Sequence, residues 1–409
     1  MQEIKKHVVQ VGSSGFPFGM AAIEKIRLIG LGLVAAGMDV TVINRKGTFA
    51  EDSGIDIPPK GNHEGVDYVF CSNSIYRPNS FIKRNLRKVL GLWNEFWLLV
   101  RFKREKRLDY AIIHNREYHT VMYYIFLSRM LGFKAVWNFV ELGSVLPERD
   151  NPKTRALDKK MEHVGIKKMD GILPISEVLC KFLDEHAPEV PYFKLPMVCD
   201  FSKFTPLKVS PDRENFFLYC GSMAYYEVIA FILEAFDRLD PPEDWYLYMV
   251  LGGNKEYRPK VDAKIAELRL QDRVKIFSWI PYEELIQKYK DARALLIPLR
   301  DTEQDRARFP HKIGEYMASS NPIITTNVGE VEHYFVDMDT ALIAETYALD
   351  LYIEKMRYIL ENPEDSMQIG LKGNQFGLDT FDCIAFGKML ANFFLSLTGE
   401  LEEKEAVVY

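Results

Sequence analysis

The sequence lacks the features that define several large classes of protein. Its five cysteines are scattered and include no C-x-x-C pair, which argues against a disulfide framework or a zinc site and predicts reduced thiols. No apolar run reaches the roughly 18 residues that a membrane-spanning helix needs, and the amino-terminal residues show no signal-peptide core. We therefore expect a cytoplasmic protein, with at most a peripheral contact on the inner face of a membrane.

Two further absences narrow the possible ligands. The formal net charge is −6, which argues against nucleic acid as the main partner. The stretch GSSGFPFG (12–19) has its glycines at positions 12, 15 and 19, so it does not form the G-x-G-x-x-G fingerprint of dinucleotide-binding proteins. We expect no nicotinamide or other cofactor.

The sequence does contain a repeated alternation of strand and helix patterns. Runs such as HVVQV (7–11) alternate with stretches of helical apolar spacing such as 20–37, which predicts βαβ units and a mostly parallel sheet. A segment with four prolines (191–215) interrupts the alternation, which then starts again. The chain of 409 residues is therefore expected to be an α/β protein of two domains. The predicted divisions are 1–198, 199–375 and a terminal helical segment at 376–409.

The second half carries the pattern of a known family. The stretch HKIGEYMASSNPIITTNVGEVEHYF (311–335) resembles the K/L-x-x-E-Y/A-M-A-x-G-x-P-V-V-x-T pattern of the retaining glycosyltransferase family 4 (group 1), which has the GT-B fold. Residues 272–299 and 195–204 resemble the segments that precede this pattern and that link the domains. The resemblance implies two Rossmann-like domains facing across a cleft. It also implies a nucleotide-sugar donor on the second domain, an acceptor on the first, and a C-terminal helix that returns to the first domain.

The resemblance assigns the donor ribose to Glu315, in the first turn of a predicted helix. A carboxylate there interacts favourably with the helix dipole and can accept hydrogen bonds from a diol. The family's other glutamate, which holds hydroxyls of the donor sugar, corresponds to Ala307 here. Glu303 and Asp305 of the same loop are alternatives without the family spacing.

The cations that usually bind the diphosphate also differ. The family reads G-R-x-x-x-x-K after the first strand of the second domain, whereas this chain keeps Gly221 but has Ser222 and Glu227 in place of the cations. Because a leaving diphosphate needs its charge stabilised, other side chains are expected to replace them. The predicted substitutes are Arg308, Lys312 and His311.

Glycine-rich turns provide a second means of binding phosphate. Gly15 and Gly19 lie between the first strand and the first helix, and Gly329 and Glu332 follow a later strand. Glycine permits close approach, and amides at helix starts attract phosphate. The alternative is that these glycines serve only tight turns.

The acceptor side is predicted from two strand ends in the first domain. Val140 occupies the position where the family often carries a histidine, and Glu141 beside it is expected to bind the acceptor or to accept its proton. His114 and Arg116 end the preceding strand and are further candidates. A structural role is the alternative for Glu141 and for His114.

Asp337 and Asp339 form a D-x-D motif, which binds divalent ions in the other main glycosyltransferase fold. Within a GT-B pattern the two acids are expected to lie in a surface turn, and we predict no catalytic metal.

The segment 81–107 is strongly basic, with nine Lys or Arg against two Glu, a net charge of +7. Its apolar residues follow helical spacing, at Leu86, Val89, Leu90, Trp93, Phe96, Trp97 and Val100. We expect this apolar face to pack on the sheet, as the helix of a βαβ unit does. The basic ends are candidates for binding anionic lipid or a lipid-linked acceptor.

Together these patterns predict a retaining, metal-independent glycosyltransferase of bacterial-type polysaccharide or glycolipid assembly. The donor is expected to be a nucleotide-diphosphate sugar, with UDP as the nucleotide, and the acceptor a saccharide or lipid-linked saccharide. A non-catalytic partner with the same fold and a sugar-nucleotide epimerase are the alternatives.

Overall fold

The computed structural model describes residues 5–19, 21–146, 149, 151–253, 255–278 and 280–401. The chain divides into two compact units: unit 1 comprises Met1–Val198 and Cys383–Tyr409, and unit 2 comprises Cys199–Asp382. The second division predicted at 375 lies within the helix Pro363–Phe381. The unit ends where this helix ends.

Unit 1 is built on a seven-stranded sheet in the order β3-β4-β2-β1-β5-β6-β7. Its strands are β1 (His7–Val11), β2 (Asp39–Asn44), β3 (Lys60–His63), β4 (Val66–Phe70), β5 (Tyr110–Ile113), β6 (Lys134–Phe139) and β7 (Gly171–Pro174). All pairs are parallel except the hairpin of β3 with β4. Strand β3 has the sequence KGNH, which contains no β-branched residue, so no strand pattern marks it in the sequence.

The helices of unit 1 flank this sheet. They are α1 (Ala21–Ala35), α2 (Phe81–Arg104), α3 (Tyr118–Leu131), α4 (Pro152–Lys160), α5 (Glu177–His186) and, near the end of the chain, α14 (Cys383–Ser396). Asn151 caps α4 through its side-chain oxygen, and Ser176 caps α5 in the same way. Helix α4 is followed directly by a π-helical turn at Met161–Gly165 and a 3-10 turn at Ile166–Lys168.

The terminal helix α14 is part of the core of unit 1. Phe394 stacks on Tyr110 of β5 with ring centroids 5.0 Å apart, and Phe393 and Leu390 are buried in the same cluster. Gly387 of α14 meets Gly32 of α1 backbone to backbone, and a Cβ on either residue would overlap the other. The two glycines therefore set how closely these helices approach.

We expect Gly387→Val to destabilise unit 1 by about 1–3 kcal/mol, because the added methyl groups would force α14 away from α1. The measurement is the free energy of unfolding of unit 1 in urea. Ala385→Val places the same side chain on the exposed side of α14, and its unfolding curve should match that of the unchanged protein. Equal effects of the two substitutions would contradict close packing at Gly387.

Helix α2 corrects one expectation. Its buried residues are Gly91, Glu95, Leu99 and Phe102, whereas most of the predicted apolar face is exposed. Gly91 lies against the Arg45 carbonyl so closely that no Cβ could fit. Glu95 is fully buried and accepts hydrogen bonds from Arg45 Nε and the Tyr124 hydroxyl. A glycine contact, a buried ion pair and the apolar residues Leu99 and Phe102, rather than the predicted apolar face, hold α2 in unit 1.

Unit 2 has a six-stranded parallel sheet in the order β10-β9-β8-β11-β12-β13. Its strands are β8 (Asn215–Ser222), β9 (Trp245–Gly252), β10 (Val274–Phe277), β11 (Ala294–Ile297), β12 (Ile323–Thr326) and β13 (Leu342–Ala344). Its helices are α6 (Tyr226–Leu239), α7 (Arg258–Glu267), α8 (Tyr282–Asp291), α9 (Glu303–Ala307), α10 (Lys312–Ala318), α11 (Val331–Tyr334), α12 (Leu349–Glu361) and α13 (Pro363–Phe381). An apolar core of strand and helix residues, from Phe217 to Ile369, holds these layers together.

Both sheets have a point at which the strand order reverses. In unit 1, β1 lies between β2 and β5, and in unit 2, β8 lies between β9 and β11. In unit 1 the chain goes from β1 to β2 on one side of this point and from β5 to β6 on the other. In unit 2 it goes from β8 to β9 on one side and from β11 to β12 on the other. In open parallel sheets a crevice forms at this point, beyond the carboxyl ends of the strands, and ligands bind there.

Candidate functional site

A buried aspartate organises the loop after β11 in unit 2. Asp305 is fully buried. Its Oδ2 accepts hydrogen bonds from the Arg300 amide at 3.0 Å and from Arg300 Nε at 3.1 Å. Its Oδ1 lies 2.6 Å from Arg308 Nη2. One carboxylate thus fixes two guanidinium groups at the strand-order reversal of unit 2.

The two arginines also contact the loop after β8. Arg308 Nη1 donates to the Tyr225 hydroxyl at 2.7 Å, and its guanidinium lies 4.7 Å from the centroid of that ring. Arg300 Nη1 donates to Glu227 Oε2 at 2.7 Å. Glu227, which stands where the family has a lysine, is thus the partner of a cation. Arg308 was predicted, but Arg300 was missed, although it follows the apolar run ALLIPL within three residues of β11.

Glu315 lies in the first turn of α10, as the sequence predicted, and is half-buried. The Tyr282 hydroxyl donates to Glu315 Oε1 at 3.2 Å, and Lys203 Nζ lies 5.4 Å from the Tyr282 ring centroid. The buried Tyr316 accepts a hydrogen bond from the Cys220 amide at 2.9 Å, which ties α10 to the end of β8.

Lys312 lies at the same end of β8. Burial raises the pKa of the Cys220 thiol, while the Lys312 ammonium acts against this rise and the Glu315 carboxylate adds to it. Lys312 and Glu315 are therefore both near the last residues of β8. His311 precedes Lys312 as the N-cap residue of α10 and is half-buried. The structure thus brings these three predicted residues to the strand end that carries Gly221.

The predicted glycines have mainly packing roles. The Tyr219 hydroxyl covers the position where a Cβ of Gly221 would lie, and Ser222 Oγ accepts a hydrogen bond from the Ala224 amide at 3.3 Å. Gly329 packs on the backbone of Arg306, where a Cβ would lie 2.9 Å from the carbonyl oxygen. Glu332 is exposed, and its charge acts on Arg306 rather than on the Asp305 cluster.

The first loop of unit 1 uses its amides internally. Asn44, buried at the end of β2, accepts hydrogen bonds from the amides of Gly15 at 2.8 Å and Phe16 at 3.1 Å, and it donates to the Phe16 carbonyl at 3.1 Å. Gly19 packs against Ile23. The Gly15 amide, which was expected to be available to phosphate, is thus already occupied. The role of Asn44 could not be predicted from the sequence, because a single amide side chain at the end of a strand forms no distinctive pattern.

His114 is held between two amide side chains. Its Nδ1 accepts from Asn138 Nδ2 at 3.0 Å, so its Nε2 donates to Gln10 Oε1 at 2.8 Å. Burial lowers the pKa of the His114 imidazole to about 3, and the charge of Lys25 adds to this effect. The neutral imidazole, with both nitrogens hydrogen-bonded, joins β1, β5 and β6. This arrangement fits the structural role that was the alternative for His114, rather than a role in acid–base chemistry.

Arg116 and Glu141 form an ion pair between the loops after β5 and β6, as adjacent strand ends allow. With Trp137, they line a shallow, solvent-open hollow that has room for about one water molecule. Its other lining residues are Gly143, Asp158, Met161 and Glu162. Asp158 is paired with Arg149 at 2.6 Å, and Glu162 accepts a hydrogen bond from the Ser144 amide at 2.9 Å. The charged groups that line the hollow are thus already paired with one another or with the backbone.

Lys25 of α1 is a buried cation near His114. Its side chain is 2% exposed, and its Nζ has no hydrogen-bond partner among the residues that the structure describes. Burial lowers the pKa of the Lys25 ammonium to about 7. Leaving a charged group in such surroundings is costly, so this lysine opposes folding at neutral pH.

The D-x-D motif lies in a turn, and both of its acids are paired with lysines. Asp337 lies 2.6 Å from Lys355 Nζ and also accepts a hydrogen bond from the Ile343 amide, while Asp339 lies 2.7 Å from Lys372 Nζ. In the described part of the chain, no group of three or more His, Cys, Asp or Glu side chains is placed to hold a metal ion.

Several solved structures share the fold over nearly their full length. Sucrose-phosphate synthase from Thermosynechococcus elongatus superposes with a TM-score of 0.75 at 16% identity, covering 97% of this chain and 100% of that one. A glycosyltransferase from Rickettsia africae gives 0.71 at 14% identity, covering 98% and 100%. Anabaena HepE in complex with UDP and glucose gives 0.68 at 12% identity, covering 96% and 100%. The protein therefore has the GT-B fold, as predicted.

Residues 202–376 match the family of group 1 glycosyl transferases. This match confirms the resemblance of unit 2 to group 1 glycosyltransferases, while the assignment to the retaining family 4 stays a prediction. No curated protein is significantly similar in sequence. None of the helices among the described residues is long and apolar enough to span a membrane.

Proposed function

We propose that the protein is a retaining, metal-independent glycosyltransferase that uses a nucleotide-diphosphate sugar, with UDP as the nucleotide. The observation that carries the proposal is the pair of arginines fixed by the buried Asp305 at the strand-order reversal of unit 2. HepE, which has the same fold, is described in complex with UDP and with UDP-glucose. The proposed place of the reaction is polysaccharide or glycolipid assembly.

In this proposal the unit 2 residues bind the donor. Glu315 accepts hydrogen bonds from the ribose hydroxyls, and Arg308 and Lys312 bind the diphosphate. Arg300 also binds the diphosphate, after its guanidinium has released the Glu227 carboxylate and taken a phosphate oxygen as its partner. That exchange costs little, because Glu227 is 76% exposed and exposed ion pairs contribute little stability. Asp305 keeps both guanidinium groups in position throughout.

The transfer needs no nucleophile from the protein. The bond between sugar C1 and the β-phosphate oxygen breaks, and its electron pair stays on that oxygen. The acceptor hydroxyl oxygen forms the new bond to C1 on the same face, and its proton passes to the leaving phosphate. Arg300 and Arg308 stabilise the charge that develops on the phosphate. The acceptor is a saccharide or lipid-linked saccharide held by unit 1, with Arg116 and Glu141 as its polar contacts.

The test is calorimetric titration of UDP, GDP and ADP with and without a chelator. We expect UDP to bind in either case, and Glu315→Ala to weaken its binding about 10- to 100-fold, because hydrogen bonds to a charged group contribute about 1.5–3 kcal/mol. The matched control is Glu332→Ala, an exposed glutamate on α11.

Unchanged binding by the Glu315 variant would remove Glu315 as the ribose ligand. Binding of none of the three nucleotides would favour the non-catalytic alternative, and a requirement for divalent metal would contradict the proposed mechanism.

A further inference from the structure

Helix α2 presents a large apolar surface to solvent. Eight large apolar side chains in its first seventeen residues are exposed, among them Val89 at 69%, Leu86 at 65% and Trp93 at 62%. The full set is Phe81, Ile82, Leu86, Val89, Leu90, Leu92, Trp93 and Trp97. Six of these, all but Phe81 and Leu92, lie within an arc of about 100° around the helix axis. Contiguous apolar surface of this kind marks an interaction site.

Cations border this surface. On the helix, Lys83 and Arg87 lie about 20° and 60° beyond one edge of the arc. Arg84 and Lys88 lie on the opposite side, and the Arg84 guanidinium lies 5.8 Å from the Phe81 ring centroid. Lys46 and Arg77 are near Lys88: burial lowers the pKa of the Lys46 ammonium, and the charges of Lys88 and Arg77 add to this effect, opposed by Glu117. The apolar arc thus has two cations at its edge, and no Asp or Glu occurs in 81–94.

We propose that this surface, the first seventeen residues of α2, binds anionic lipid membranes. Aromatic and aliphatic side chains would enter the headgroup region, and Lys83 and Arg87 at the edge of the apolar arc would contact the lipid phosphates. Tryptophan favours this depth, because its ring is apolar and its indole N–H is polar. The close fit of Gly91 and the buried Glu95 keep the opposite side of α2 on the sheet, so the helix can dock as a rigid surface.

Charge decides between a membrane and a second copy of the chain. A twofold contact through this surface would bring two copies of the same patch together, and because 81–94 contains four cations and no Asp or Glu, neither copy could offer opposite charge to the other. An anionic lipid surface instead offers opposite charge over the whole area. The chemistry therefore favours lipid.

The experiment is sedimentation of the full-length protein with phosphatidylcholine vesicles, with and without phosphatidylglycerol. We expect binding to the anionic vesicles, weakening with salt. The triple variants Ile82→Ser/Val89→Ser/Trp93→Ser and Lys83→Ser/Arg87→Ser/Lys88→Ser should each lower the partition coefficient at least about tenfold, given about 1 kcal/mol per basic residue near the surface.

The controls remove similar groups elsewhere on unit 1. Phe126→Ser/Met130→Ser changes two exposed apolar residues of α3, and Lys167→Ser/Lys168→Ser removes two exposed lysines. Both should bind like the unchanged protein. Brominated lipid should quench the tryptophan fluorescence of the bound protein. Trp93→Phe/Trp97→Phe keeps the surface apolar but removes its two tryptophans, so this variant should still bind vesicles while its fluorescence is no longer quenched.

Three results would overturn the proposal. They are equal binding by the α2 triple variants and the controls, no binding of the unchanged protein to anionic vesicles, and a dimer in solution that the α2 variants dissociate without any vesicle binding. The last result would assign the surface to a second copy.

Discussion

Replacing Arg308 by methionine is expected to weaken the binding of UDP by on the order of 100-fold. The protein should thereby lose most of its preference for UDP over uridine. Arg308 is held by Asp305 and the Tyr225 hydroxyl at the end of β8, and a guanidinium is suited to two phosphate oxygens at once. Since uridine carries no phosphate, its affinity should not change. When the sugar substrate is known, kcat can be measured as well. The kcat of the variant should be about 100- to 1000-fold lower, because it lacks a hydrogen-bonding group that stabilises the developing charge.

The matched control is Arg306→Met, two residues earlier, where an exposed arginine pairs with Asp301 instead. Its UDP and uridine affinities should equal those of the unchanged protein. Arg308→Met leaves Asp305 with Arg300 as its remaining cation, so the melting temperature must be measured beside the affinities. A parallel loss of UDP and uridine binding would indicate a misfolded loop, and unchanged UDP binding would rule out Arg308 as a phosphate ligand.

Replacing Lys25 by methionine is expected to raise the free energy of unfolding of unit 1 by about 3–5 kcal/mol at pH 7. The pKa of the Lys25 ammonium is about 7 in the folded protein, against an ordinary value of 10.5, and each pKa unit corresponds to about 1.4 kcal/mol. Methionine fills a similar volume without a group that must lose its proton or its hydration.

The pH dependence has a definite sign. Above pH 10.5 the lysine is neutral in both states and has no effect on stability. As the pH falls towards 7, the unfolded state takes up a proton that the folded state does not, so stability decreases. Below about 7 the folded state is protonated too, and the loss becomes constant. Lys25→Met should remove this slope from a urea-unfolding series across that range.

Lys181→Met provides the comparison, because Lys181 is an exposed lysine on α5. It should change neither the stability at pH 7 nor the slope. If Lys25→Met destabilised unit 1, the Lys25 ammonium would have to be charged and bound in the folded protein. A slope that persisted in Lys25→Met would have to come from another group.

Much of the fold could be predicted from the sequence, because its elements carry strong local patterns. Runs such as HVVQV and KAVWNF became buried parallel strands, and the Glu315 segment became a helix between β11 and β12. The cations Arg308 and Lys312 were predicted as diphosphate ligands because a diphosphate needs positive charge and few other cations lay near the family pattern, and this role stays a prediction.

The remaining features depend on contacts between distant residues. Arg300 could not be assigned without knowing that Glu227, 73 positions away, lies beside it. His114 looked like a reactive strand-end histidine until Gln10 and Asn138 were found at its two nitrogens. The apolar face of α2 has the periodicity of a packed helix, and its amphipathic pattern cannot tell whether a sheet or a lipid surface covers it.

The return of α14 to unit 1 has a consequence for the order of events during synthesis on the ribosome. Unit 2 is continuous in sequence, so it can fold as soon as Asp382 has left the exit tunnel. Unit 1 is split, and its core lacks Leu390, Phe393 and Phe394 until nearly the whole chain is made. Domains generally fold in the order in which they are translated. Here the part translated first is completed after unit 2, and nascent β5 leaves Tyr110 uncovered until α14 has been made.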